Sequence, residues 1–121
     1  MRALALAAML ALAGPAIAAG PPQFQVRDAA DYVKLCTTSA DDPNYVSAIA
    51  FCHGFGVGAY HYYHVSTAAP DRFVCPPNPV PTRAAVINDF VAWVKTRADV
   101  MKQPAVDALF IYLTGVWPCK K

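Results

Sequence analysis

Few side chains in this 121-residue chain are suited to chemistry: His53, His61 and His64, and the cysteines Cys36, Cys52, Cys75 and Cys119. A metal site would begin from His61 and His64, which sit three apart and share a face if the segment is helical. His53 lies three turns from His64, roughly 16 Å along a helix axis, so the three do not meet on one ion. All eight acidic residues are aspartate, and none clusters with the histidines. The cysteines lack the close Cys-x-x-Cys pairs of a zinc site. Cys52-His53 fails as a nucleophile and its base, because neighbours on a helix point about 100° apart and a disulfide would consume the thiolate. Gly54-x-Gly56-x-Gly58 follows no strand and lacks the lysine of a phosphate loop. Tyr60, Tyr62 and Tyr63 recur at the spacing of core or interface residues. With no catalytic set, no metal site and no cofactor expected, the chain reads as a binding or structural protein rather than an enzyme. Turnover that vanished in a His61 or His64 variant would reverse that reading. An aromatic-lined cleft around Tyr60 and Tyr63, holding a small ligand, is the alternative use of the same residues.

These residues sit on or near one apolar run, from Asp42 to about Ser66. On a helix, Tyr45, Ile49, Cys52, Gly56, Ala59 and Tyr63 form one stripe, and Phe51, Phe55, Gly58 and Tyr62 form another beside it. A helix with no broad polar face is usually buried, so this one is expected at the centre of the fold. Each interior glycine costs roughly 1 kcal/mol relative to alanine, and close packing is the reason to keep it. Gly58, with Phe51, Phe55 and Tyr62, is expected to lie where another helix crosses most closely.

Asp28 caps a first helix with Tyr32, Val33, Leu35 and Cys36 on its apolar side. Asp42-Pro43 reads as the start of the central helix. Five prolines between Ala68 and Pro81 exclude a helix there and predict a long ordered loop tied down by Cys75. Thr82 caps a third helix with Val86, Phe90, Trp93 and Val94 recurring. A fourth starts near Gln103-Pro104, with Val106, Leu109, Phe110, Leu113 and Trp117 on one face, closed by Gly115 and Pro118. No strand alternation competes, and the fold class is all-α, a small four-helix bundle-like domain. If the last two helices are antiparallel, the end of the fourth meets the Cys75 loop. That pairs Cys75 with Cys119 and leaves Cys36 for Cys52.

Met1-Arg2, the uncharged run from Ala3 to Ala13 and the small residues Ala16-Ile17-Ala18 read as a cleaved signal peptide, residues 1–18. The run is too short to cross a hydrocarbon core of roughly 30 Å, and no cysteine stands at the cleavage point to take a lipid. Residues 19–121 form one domain of a size that often needs covalent staples, and four cysteines in an exported chain predict two disulfides. The net charge of +2 falls by one with Arg2 and argues for neither nucleic acid nor an anionic membrane.

The ordered set of Cys36, then Cys52-x-Gly54-Phe55-x-x-Gly58, then Cys75-x-Pro77 ahead of Thr82, and finally Trp117-Pro118-Cys119 resembles the Rap/Tai immunity family associated with type VI secretion. The likeness spans nearly all of the mature chain. It implies a periplasmic, often dimeric helical domain that binds a cell-wall-degrading amidase effector from neighbouring bacteria and blocks its active site. Such occlusion asks no chemistry of the inhibitor, only a rigid scaffold with a complementary patch. The chain departs from the family pattern in its proline-rich loop, in proline at position 76 where the family has an aliphatic residue, and in the additional Gly56. The alternative is a periplasmic structural or small-ligand-binding module with no toxin partner.

Overall fold

The computed structural model describes residues 24–121; the signal-peptide assignment, 1–18, lies outside them. Four helices follow in order: α1 (Ala29–Cys36), α2 (Tyr45–Ser66), α3 (Arg83–Val94) and α4 (Ala105–Val116), with short 3-10 turns at Ala69–Asp71 and Val100–Lys102. Among the described residues the only extended pairings are two isolated bridges, Asp28 with Pro104 and Val74 with Pro118. The all-α fold is as expected.

Side-chain caps set two of the four helix starts. The Asp28 carboxylate accepts from the Asp31 N–H at 2.8 Å, and the Thr82 hydroxyl accepts from the Ala85 N–H at 3.2 Å, each satisfying a donor that a helix start leaves free. The start of α2 differs from expectation. Asp42 Oδ1 accepts from the Asn44 N–H at 2.7 Å and the Asp42 carbonyl accepts from the Tyr45 N–H at 2.9 Å. The acid thus builds a turn ahead of the helix instead of capping it.

The centre of the fold is the eight-residue α1, not the long α2. Ala29, Tyr32, Val33 and Leu35 are buried, and α2, α3 and α4 all pack against α1. Along its 22 residues α2 buries only Ala48, Cys52 and Tyr63. Its neighbours cover one side, and Phe51 (44 % exposed), Tyr62 (75 %) and Val65 (81 %) lie open on the other. The core faces of α3 and α4 are also turned from the expected ones. Ile87 and Val91 join Phe90 and Val94 in the core of α3, while Val86 and Trp93 are half-buried. Ala105, Ala108 and Tyr112 join Leu109 and Leu113 in α4, and Val106 stays 41 % exposed.

The glycine expectation is corrected in the same way. A Cβ at Gly58 or Gly54 would meet nothing within 4 Å, whereas one at Gly56 would lie 2.7 Å from Tyr32 Oη. The tight helix crossing is therefore at Gly56, on the inner stripe with Cys52 and Tyr63. Tyr32 has little room to yield: it is fully buried, its hydroxyl donates to the Cys52 carbonyl at 2.9 Å, and its ring packs on Phe55 (4.9 Å between centroids) and Phe90 (5.8 Å).

Both disulfides pair as expected, Cys36 with Cys52 and Cys75 with Cys119, at Cα separations of 5.2 and 4.9 Å. They close loops spanning 16 and 44 positions, which on loop entropy alone contribute about 3 and about 4 kcal/mol. The second lies beside the Val74–Pro118 bridge, where the Cys75 N–H donates to the Trp117 carbonyl at 2.8 Å and the Cys119 N–H to the Phe73 carbonyl at 3.3 Å.

Two glycine variants separate the inner and outer stripes. Gly56→Ala gains up to about 1 kcal/mol of helix propensity but overpacks against Tyr32, at a cost of ~1–3 kcal/mol, and is expected to lower stability. Gly58→Ala, measured on dilute monomer, gains the propensity without the clash and is expected to raise it. The double variant Tyr32→Phe/Gly56→Ala should recover part of the loss, because the atom in conflict is the hydroxyl. Denaturant titrations of the oxidised proteins check this. A Gly56→Ala chain as stable as its parent overturns the assignment.

Candidate functional site

Two apolar concavities flank α2, and its two stripes divide the candidate residues between them. The first is a cleft of about 220 Å³ between α2, the proline loop, α3 and α4. Tyr32 and Gly56 lie at its floor, Val57, Tyr60, Leu109 and Trp117 form its walls, and Pro76, Val80 and Pro81 form its lip. His53, His61 and Arg83 are its ionisable side chains other than tyrosine, and no aspartate lines it. The second is a shallow groove on the opposite flank, lined by Gly54, Phe55, Gly58, Tyr62, Tyr63, Phe73, Val106 and Phe110.

Tyr60 and Tyr63, expected to share one cleft, are separated. Tyr60 is half-buried in the wall of the first, and burial raises its hydroxyl pKa. Tyr63 is a brace backing the second. Its hydroxyl accepts the N–H groups of Phe73 (2.7 Å) and Val74 (3.0 Å), and its ring packs on Phe73 and Phe110 with centroids 4.8 and 5.0 Å away. Together with Arg72, which donates to the carbonyls of Thr67 (3.2 Å) and His64 (3.0 Å) at the end of α2, it ties the loop to the helix. A cation at a helix C-terminus also meets the favourable end of the dipole.

The histidines do not converge. His53 and His61 line the first cleft, while His64 is exposed with its ring 6.0 Å from that of Tyr60. No group of three or more metal-ligating side chains forms among the described residues. The remaining motif residues hold the frame or face outward. Phe55 packs on Tyr32, Trp117 caps α4 and offers its carbonyl to Cys75, and Pro118 pairs with Val74. Pro77, Gly54 and Gly58 are exposed. The outward position of Gly54 and Gly58 has no signal in the sequence, where an interior helix glycine reads as a packing position.

The matched unit begins at the α1 cap and ends at the last cysteine: the family model described as Rap1a immunity proteins matches residues 28–119. The chain belongs to the Rap1a immunity protein family. Comparison with curated proteins and with solved structures finds no match. In this Rap1a-family chain all four helices and both disulfides fall inside the matched region, so the family pattern and the folding unit coincide. The two disulfides suit an oxidising compartment, and among the described residues no helix is long and apolar enough to cross a membrane.

Burial gives Tyr32 a measurable signature. Desolvation pushes its hydroxyl from 10.0 up to about 12, so the folded protein keeps a proton that the unfolded chain releases. The stabilisation is fully present below pH 10 and is lost as pH rises towards about 12, amounting to about 3 kcal/mol. In Tyr32→Phe the alkaline slope of unfolding free energy should flatten, although the variant begins about 1 kcal/mol less stable through its lost hydrogen bond. Equal slopes for parent and variant would show that Tyr32 does not carry the alkaline loss.

Proposed function

We propose that the mature protein is a periplasmic immunity protein that binds a type VI secretion cell-wall amidase effector and occludes its active site. In this reading residues 1–18 are removed as a signal peptide and the chain performs no catalysis. The observation that carries it is the Rap1a family match over residues 28–119. The frame supports it: both ends of the domain are cross-linked, so a surface presented to an enzyme loses little conformational freedom on binding.

The same reading includes a homodimer formed through the outer stripe of α2. Tyr62 and Val106 are exposed large apolar residues that line one groove with Gly54 and Gly58, two glycines over which nothing is packed, and Phe51 is exposed on the same stripe of α2. A contiguous apolar surface of this kind marks an interaction site, and glycines four apart let a second helix approach closely.

Co-purification with the amidase encoded beside its gene, and loss of that amidase's activity on peptidoglycan when the immunity protein is added, are the expected results. Failure to bind or inhibit it sinks the inhibitory role. Self-association is tested separately by sedimentation of Gly58→Arg, a substitution the open surface tolerates. The variant is expected to be monomeric at concentrations where the parent pairs. If both sediment alike, the outer stripe is not the contact between copies.

A further inference from the structure

The first cleft is built differently from the outer groove. It is the narrower space, and its walls are fixed. The floor is set by Tyr32, hydrogen-bonded to Cys52, and the proline lip is fastened at one end by the Cys75–Cys119 disulfide and at the other by the Thr82 cap of α3. Walls held in this way do not need to be ordered by a ligand, so binding there avoids that cost. Leu109, Leu113, Val57 and Val86 give the interior few polar groups, and such a space holds water poorly.

Arg83 is the one arginine or lysine that lines the cleft. Arg83, His53 and His61 line the cleft, and no aspartate does. The ion pairs among the described residues are Arg27–Asp31 and Arg97–Asp99, which leaves the Arg83 guanidinium without a carboxylate. Arg83 is also the first residue of α3. An apolar cavity of about 150 Å³ takes benzene, so the 220 Å³ here suits an alkyl chain of about eight carbons. We infer that the cleft between α2, the proline loop and α3 binds a medium-chain monocarboxylate, with its alkyl chain over Gly56 and Val57 and its carboxylate at Arg83. This does not rest on effector binding and survives its failure.

Calorimetric titration of the oxidised full domain with octanoate, 1-octanol and butyrate tests it. Octanoate should bind saturably with one molecule per chain. Octanol, which has the same tail without the charge, should bind about tenfold more weakly, as should octanoate to Arg83→Gln, the loss expected for one charge-assisted contact. Butyrate should show no saturable binding, and Val57→Phe, which fills the cleft, should abolish octanoate binding. If Val57→Phe melts earlier than its parent, Val86→Phe on the α3 side supplies the same test. Octanol binding as tightly as octanoate, or an unchanged affinity in Arg83→Gln, overturns the carboxylate assignment. Absence of saturable octanoate binding, or binding that persists in the filled variants, overturns the site.

Discussion

The domain depends on the contact between the Tyr32 side chain and the inner face of α2. A single aromatic residue on the shortest helix meets the backbone of the longest: its hydroxyl reaches the Cys52 carbonyl and lies where any side chain at position 56 would have to be. Its ring contacts Phe55 on α2 and Phe90 on α3. The Cys36–Cys52 bond joins the same two helices beside this contact, so position and orientation are fixed together. A buried hydroxyl needs a partner, and here the partner is a main-chain carbonyl that no substitution removes. The seating of α2 on α1 is thereby determined to one register.

Much of this was legible from residue types and spacing because it is local chemistry. The caps at Asp28 and Thr82 are oxygen-bearing side chains followed by helical periodicity, and the proline loop excludes a helix by the geometry of its residues. The cysteine pairing followed from helix order. What was not legible is non-local. The run from Tyr45 to Ser66 is apolar around most of its circumference, so periodicity defines two stripes and does not choose between them. The choice is made by Tyr32, twenty positions before its partner Cys52, and assigning the close crossing to Gly58 instead of Gly56 is the error that follows. The same limit explains Val106, which continues the apolar face of α4 in sequence but overlies the edge of the core in space. Tyr60 and Tyr63 were separated for a further reason: residues three apart on a helix straddle a ridge as readily as they line a valley.

The two stripes of α2 therefore have different duties. Cys52, Gly56 and Tyr63 hold α1, the floor of the cleft and the loop at Phe73–Val74, and a change at any of them disturbs several elements at once. Gly54, Gly58 and Tyr62 touch little of their own chain, so changes there alter the surface more than the core. For a member of an immunity protein family this arrangement lets the surface change while the frame is kept.

The placement of the two cross-links along the chain has a consequence for survival among proteases. The exposed turn at residues 37–44 lies inside the loop closed by Cys36 and Cys52, and the proline lip and the α3–α4 connection lie inside the loop closed by Cys75 and Cys119. A single backbone cut in any of these accessible segments leaves both fragments covalently attached and the helices in place. The one connection outside both loops, residues 67–74, is the stretch that Tyr63 and Arg72 hold against α2. Each connection between the described helices is thus either enclosed by a sulfur bridge or pinned to a helix, and a molecule nicked inside either bridge keeps its fragments joined.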